Sequence, residues 1–509
     1  MSKFNKKREI EMTTNNSGGD AYKSSPELEL VTVLLNSFVS DGHYTKSSDG
    51  IAMLTEALKK VNPEFAAKAA VYARNEFGMR SITHVLAVEI CKFASGKPWA
   101  KEFYAAIVRR PDDMTEILSY YYSKNSSKKS LPAALKRGFK KAFNKFDGYQ
   151  LAKYKAEKQE VSLIDVVNLV RPKATSRNDE ALKLLIKGTL KSKDTFESEL
   201  SAAGQVGNTV EEKNKSKADA WNNLVMSGKI GQMALLKNLR NIINSCDEDV
   251  VKKACELLTT KQRIEKSLIL PFRYITALDE IILISGKNSK HVQKALNVAI
   301  DLSCSNVPVF EGDTAVVIDL SGSMSSTVAG GKTKMNKVAA LFGAMMAKAN
   351  DADVYSFGTQ CKYLPVNVSD STMSIANWIV STNEGANYYT GGGKYSVGHG
   401  TNFESIFQKL SRKYSRVFIF SDMENNWGNS TGYKALQEYR KRQKADNVKV
   451  YAFNLAVNKT LQFPERNIYA LSGFSEKIFD VIDSLEIDKR ALINKINNYV
   501  DFAELATKE

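Results

Sequence analysis

Two aspartates and three hydroxyl residues, each placed just beyond or between apolar runs, are the groups in this 509-residue chain best suited to hold an ion. Asp319-Leu320-Ser321-Gly322-Ser323 follows the run Val316-Val317-Ile318. Thr401 lies in the turn-forming segment Gly398-His399-Gly400-Thr401-Asn402, and Asp422 follows Val417-Phe418-Ile419-Phe420-Ser421. Carboxylate and hydroxyl oxygens are hard ligands, suited to Mg²⁺ or a similar cation. With few charged ligands, such an ion keeps positive character and an open position for a partner's carboxylate or phosphate. Asp-x-Ser-x-Ser alone is a weak signal, because Asp and Ser also build caps and turns. The order and context of all three segments make the stronger case.

These ligands converge only if the elements carrying them share one edge of a sheet. From about residue 308, β-rich stretches (Thr314–Asp319, Asp353–Phe357, Arg416–Ser421, Lys449–Asn454 and Asn467–Leu471) alternate with helical segments at Lys334–Ala349, Phe403–Lys413 and Tyr433–Lys444. That alternation predicts a parallel, doubly wound α/β domain over 308–509, with its ligands at the C-terminal edge of the strands. Other chemistries fit less well. Gly331-Lys332-Thr333 looks like the end of a phosphate-binding loop, but Ser326 stands where that motif needs glycine. The loop from Leu320 to Thr333 is also too long for a tight cradle. Ser321 stands where an Asp-x-Asp phosphatase needs its second carboxylate. There is no nucleophile–base pair, and His43, His84, His291 and His399 fall in no catalytic motif, so a non-enzyme is expected.

Residues 1–25 are polar and turn-rich (Asn15-Asn16-Ser17-Gly18-Gly19-Asp20) and read as an arm over the surface. Over 26–307 the apolar spacing is helical, as in Ile51, Leu54, Leu58, Val61 and Phe65. Many short helices without strands point to HEAT-like helical repeats more than to a bundle. The polar stretch 197–220 reads as a loop, and His84 as a hydrogen-bonded core or groove residue. The five cysteines (Cys91, Cys246, Cys255, Cys304 and Cys361) are scattered, which fits buried thiols in a reducing cytoplasm. No apolar run is long enough to span a bilayer and the N-terminus lacks a signal-peptide core, so a cytoplasmic protein without a membrane partner is expected.

The net charge of +16 is unevenly placed. Residues 1–300 hold 49 Lys and Arg against 34 Asp and Glu, whereas 301–509 hold 23 against 22. The helical part is therefore the one suited to a polyanion. Its most one-sided stretch, 117–146, has eight cations and no acid. There Leu131, Leu135, Phe139, Ala142, Phe143 and Phe146 predict a buried helix face, with Lys136, Arg137, Lys140, Lys141 and Lys145 on the other sides. Ser130 is the expected N-cap, with Pro132 in the first turn. Lys153, Lys155, Arg171 and Lys173 add further cations, and Tyr149 and Tyr154 could stack on bases.

The chain resembles two known families. The oxygen constellation is similar to the metal-ion-dependent adhesion site of von Willebrand A domains. By that resemblance Ser321, Ser323 and Thr401 touch the ion directly, and Asp319 and Asp422 bind it directly or through water. Across most of its length the chain resembles the TROVE family, the Ro ribonucleoprotein autoantigen and its bacterial relatives. The marks are Gly18–Tyr22, Arg80–Glu89, Leu131–Lys155, Met233–Asn241, Pro271-Phe272-Arg273, Ser421-Asp422 and Tyr439-Arg440-Lys441. The resemblance implies a ring of HEAT-like repeats closed by the A-type domain, and a monomer. It implies binding of misfolded noncoding RNA through single-stranded 3′ ends in the ring hole, and of Y-like RNA on the outer surface. It implies work in RNA quality control or ribonucleoprotein assembly, with an exoribonuclease or other protein as a further partner. Within it, Ala152–Lys155 matches an RNA-contacting segment, nominating Lys153 and Lys155. Two departures stand out: Arg171 where the family often has histidine, and a loop Met423–Trp427 that is one residue longer. The rival expectation is a metal-dependent protein-adhesion module on a helical-repeat scaffold.

Overall fold

A strand that is apolar at consecutive positions must be covered on both faces, and all six residues of Thr314–Asp319 are buried. The computed structural model describes residues 11–36, 47–125, 131–155, 159–191, 209–267, 269, 271–303, 307–327, 333–387, 392–427, 431–456, 458–465, 468–472, 482 and 490–507. The strands among them are β1 Met12–Thr14, β2 Asp20–Lys23, β3 Thr314–Asp319, β4 Asp353–Phe357, β5 Cys361–Leu364, β6 Arg416–Ser421, β7 Lys449–Asn454, β8 Thr460–Leu461 and β9 Tyr469–Ser472. Six form one sheet in the order β5-β4-β3-β6-β7-β9. All neighbours pair in parallel except β5, which closes the β4 edge antiparallel. This is the expected doubly wound sheet. Four expected strands have the expected bounds; the fifth begins at Tyr469, and Asn467 lies outside the described residues.

On one face of the sheet, Val317, Phe357 and Ile419 pack with Phe403, Phe407 and Leu436 from helices Phe403–Lys409 and Gly432–Gln443. On the other, Phe342 of helix Met335–Asn350 stacks 6.1 Å from Phe420. That helix comes so close at Gly343 that a Cβ there would sit 2.4 Å from Ile318 Cδ1.

The chain divides into two compact units, one of residues 1–53 and 258–494, the other of 54–257 and 495–509. These do not follow the expected boundaries at 25/26 and 307/308, and packing explains why. The arm is not loose: β1, β2 and β8 form a second sheet, and Thr32 of helix Pro26–Asn36 hydrogen-bonds Ser472 across 2.8 Å. Helices Pro271–Ile282 and Lys287–Ser303 also join the α/β unit, through Asp279 to Lys337, Thr276 to Thr333 and Asp301 to Thr372. Thr333, from the rejected phosphate-loop motif, is buried there; Gly331 and Lys332 lie outside the described residues.

The other unit is helical throughout its described residues. Helices Ala100–Ile107 and Ala133–Ala142 cross at Gly138, where a Cβ would lie 2.4 Å from Tyr104 Cβ. The expected face of Leu131, Leu135, Phe139, Ala142, Phe143 and Phe146 is buried. The helix starts at Ala133, with Pro132 as its N-cap residue; Ser130 lies outside the described residues. At the end of the chain, Phe502 packs 6.4 Å from both Trp99 and Phe103.

The expected loop at 197–220 is corrected in its second half: Val210–Met226 is a helix, started by a reciprocal Thr209–Glu212 capping box. Its polar run is a solvated helix face, and residues 197–208 lie outside the described ones. Cys91, Cys246, Cys255 and Cys361 are free thiols, and Cys304 is outside the described residues. No helix among the described residues is long and apolar enough to cross a membrane.

Candidate functional sites

Register places the first site. Ile318 pairs with Phe420, so Asp319 at the end of β3 and Asp422 just past β6 leave neighbouring parallel strands at the same edge. Thr401 comes to that edge from the loop before helix Phe403–Lys409. All five expected ligands are buried, none more than 4% exposed. Ser321 N donates to Asp319 Oδ1 at 2.8 Å, and Ser421 Oγ donates to Asp319 Oδ2 at 2.6 Å. The hydroxyls of Ser321 and Ser323 lie 3.3 Å apart. Thr401 Oγ1 is buried and has no hydrogen-bond partner among the described residues.

The electrostatics favour a cation. Burial and the neighbouring Asp422 carboxylate push the Asp319 carboxyl upward. Burial and Asp422 likewise push Glu424 up to about 8. Buried carboxylates that destabilise one another's charge are relieved by a positive ion. A buried hydroxyl without a partner is a group that a cation would satisfy. The residues therefore fit a hard divalent cation. Among the described residues, no group of three or more His, Cys, Asp or Glu is placed to hold a metal ion.

Four supports of this site were not foreseen. Met423 sits at φ 60, a left-handed conformation that costs a branched or bulky residue roughly 1 kcal/mol or more and turns the chain sharply after Asp422. The longer loop that follows holds Thr401, whose N–H donates to Asn426 Oδ1 at 2.7 Å while its carbonyl accepts from Trp427 N at 3.1 Å. The N-terminal arm covers the same loop: Asn15 Nδ2 and Ser17 Oγ donate to Asn425 O at 2.7 and 2.6 Å, and Asn16 Nδ2 donates to Glu424 Oε1 at 2.9 Å. Gly19 is required there, since a Cβ would lie 2.2 Å from Asn425 O. Asn383 is the remaining support, and nothing in its sequence surroundings announces it. The Asn-Asn-Ser-Gly-Gly composition did signal a turn, but not its partner.

The second site is the cationic part of the helical unit. Arg137 and Lys140 are exposed and Lys136 half-exposed, and none has a carboxylate partner among the described residues. Arg171, left-handed at φ 47, and Lys173 are exposed in the segment after helix Leu163–Val170. A groove of about 500 Å³ beside them is lined by Val167, Leu182, Ile186, Arg171 and Lys183. Lys153 is exposed, its Nζ 5.4 Å from the Tyr154 ring and 6.0 Å from that of Tyr149. Arg110, not foreseen, lies over the same Tyr154 ring, 4.5 Å from its centroid, and is itself paired with Asp112.

Three nominated cations have internal work instead. Lys155 is buried and donates to Leu190 O at 2.5 Å, so its ammonium is not offered to a polyanion. Lys141 pairs with buried Glu102 at 2.8 Å and donates to Leu505 O. Lys145 donates to the carbonyls of Ala105 and Val108 at the end of helix Ala100–Ile107; loss of water contact and the nearby Arg109 lower its ammonium to about 8. His84 is buried as expected, with Nδ1 2.9 Å from Glu116.

Residues 29–214 and 205–348 match the TROVE domain. Telomerase protein component 1 of Mus musculus is 23% identical over 373 residues, which is 53% of this chain and 13% of that protein. Its Rattus norvegicus counterpart is 31% identical over 147 residues, 27% of this chain and 6% of that protein. The chain thus spans only a small part of these curated relatives. The crystal structure of the Deinococcus radiodurans RO (RSR) protein shares the fold, with a TM-score of 0.59 at 17% identity over 92% of this chain and all of that one. With the matched segments spanning well over half its length, the chain belongs to the TROVE family.

Proposed function

We propose that this protein is an RNA-binding ribonucleoprotein component that takes noncoding RNA on its helical unit, without catalysing a reaction on it. The observation that carries this reading is the pair of exposed cations Arg137 and Lys140, without carboxylate partners among the described residues, together with exposed Lys153 beside the Tyr154 and Tyr149 rings. Cations without acids engage phosphates, and aromatic faces beside them stack bases. TROVE membership supports the RNA-binding class. Within it, single-stranded 3′ ends of misfolded RNA and Y-like stem RNA are the ligands we favour, in RNA quality control in the cytoplasm. The test is filter binding of the full chain to an RNA duplex with a 3′ single-stranded tail. Binding at low salt that weakens steeply as salt rises is expected. No binding at low salt would favour the rival reading, a metal-dependent protein-adhesion module.

The α/β unit has its own role in this reading. Ser321, Ser323 and Thr401 hold a divalent cation, Mg²⁺ first, with Asp319 and Asp422 completing the set directly or through water. Thr401 Oγ1, buried and without a partner among the described residues, supports this most directly. The cation would supply positive charge for a partner's carboxylate or phosphate, a protein such as an exoribonuclease being one candidate.

A further inference from the structure

We infer that Asn383 is the positioning residue of the cation site: its side-chain amide sets the distance between the loop that carries Ser321 and Ser323 and the loop that carries Thr401. The inference rests on the reading of those residues as a cation site. Asn383 lies just beyond helix Thr372–Ser381, is 7% exposed and is none of the ligands. Its Nδ2 donates to Leu320 O at 2.9 Å and to Gly398 O at 3.1 Å. Its Oδ1 accepts from Ser396 Oγ at 2.8 Å, Val397 N at 2.9 Å and Gly398 N at 3.2 Å. Both amide protons and the amide oxygen are therefore engaged, the full capacity of that side chain. Leu320 is adjacent to Ser321, and the segment 396–398 ends three residues before Thr401.

The two loops need such a clasp. They are glycine-rich at Gly322, Gly398 and Gly400, and Gly398 holds φ 81. Glycines bring no side chains to fix register by packing. Among the described residues, one hydrogen bond joins the loops directly, from Gly322 N to His399 O at 2.9 Å; the other links are the Asn383 amide and the 357–360 turn, where Phe357 O accepts from Leu320 N at 2.9 Å and Gly358 O from Asn402 N at 2.9 Å. A small divalent ion such as Mg²⁺ demands ligand distances of about 2.0–2.1 Å and near-ideal angles, so a slip of even half that length between the serine and threonine loops removes a ligand. A side chain that merely stabilised the domain would have no reason to spend all its hydrogen bonds on these two segments.

The test uses the full chain and two variants, Asn383→Ala and Asn383→Asp, titrated with Mg²⁺ and with Mn²⁺ by calorimetry. The aspartate keeps the acceptor for Ser396, Val397 and Gly398 but loses both donors, and it remains informative where the alanine variant fails to fold. Asn350→Ala is the control: it loses hydrogen bonds to Phe310 N and Pro308 O in the same unit, outside the cation site. Unfolding in EDTA ranks the three for stability. The expected result is cation affinity weakened tenfold or more in the Asn383 variants and unchanged in Asn350→Ala at comparable loss of stability. A folded Asn383 variant that binds either cation as tightly as the wild type overturns the inference. Wild-type protein that takes up no cation overturns the cation reading itself, and the wild-type titration keeps those two failures apart.

Discussion

Replacing Asp113 with alanine is the sharpest test of how the helical unit is held together. The Asp113 side chain is fully buried and receives Arg74 Nη2 at 3.0 Å, Arg80 Nε at 2.9 Å, and the backbone N–H groups of Arg109 and Arg110 at 2.9 and 3.0 Å. His84 Nε2 lies 3.3 Å from Asp113 Oδ1. Burial alone would raise the carboxyl; the imidazole and the Arg74 and Arg80 guanidinium groups outweigh it and hold Asp113 well below the usual carboxylate range. Removing the carboxylate strands Arg74, itself 8% exposed, as an uncompensated buried charge. Breaking a buried pair in this way costs about 3–5 kcal/mol. For a unit of roughly 200 residues, that lowers the melting temperature by on the order of 10 °C. Asp112→Ala, on a carboxylate 17% exposed that pairs with the more open Arg80 and Arg110, should cost less, about 1 kcal/mol.

The sign with pH follows from the same geometry. A depressed carboxyl contributes its stability fully above the unfolded value of about 3.9 and loses it as pH falls toward the lower folded value. Wild type should therefore weaken below about pH 4, and Asp113→Asn should start less stable but fall less over that window. Urea unfolding, with hydrogen exchange read on peptides spanning 81–124, measures both. A loss below about 1 kcal/mol in Asp113→Ala would refute the claim that this ion network organises the unit.

Three further outcomes are expected. Lys153→Ala should weaken RNA binding at near-wild-type stability, whereas Lys155→Met should leave RNA binding intact and cost about 1–3 kcal/mol by orphaning Leu190 O; filter binding and urea unfolding of the pair check both. Gly343→Ala should destabilise the α/β unit by about 1–3 kcal/mol in thermal unfolding, because its Cβ meets Ile318. Asn15→Ala combined with Asn16→Ala should speed hydrogen exchange over 423–427, since the arm's bonds to Glu424 and Asn425 are lost.

What could be read in advance depended on how local its cause was. β3, β6 and β7 were legible because strands buried on both faces write continuous apolar runs, and the ligands Asp319 and Asp422 follow those runs directly. β5 escaped because Cys361-Lys362-Tyr363-Leu364 is a short edge with a half-polar pattern. β2 escaped for another reason: its partner β8 lies more than 400 residues away, as Tyr22 pairs with Leu461. The same distance hid the arm's hold on the loop after Asp422. Helix Val210–Met226 was misread because its apolar residues gather at one end, Trp221, Leu224 and Val225. Lys153 and Lys155 show the limit for function: two residues apart in one motif, one is exposed beside tyrosines and the other is buried on a carbonyl. Composition counts cations; only packing says which are already engaged.

The most direct test of RNA binding by the helical unit is the salt dependence of its affinity for a 3′-tailed RNA duplex, in wild type and in a triple variant with Arg137, Lys140 and Lys153 replaced by alanine. Each phosphate contact contributes roughly 0.7–0.9 to the slope of log affinity against log salt. The triple variant should bind more weakly at every salt concentration, with a slope shallower by about 2. Unchanged affinity and slope in the variant, or no wild-type binding at low salt, would contradict the assignment of RNA binding to this face.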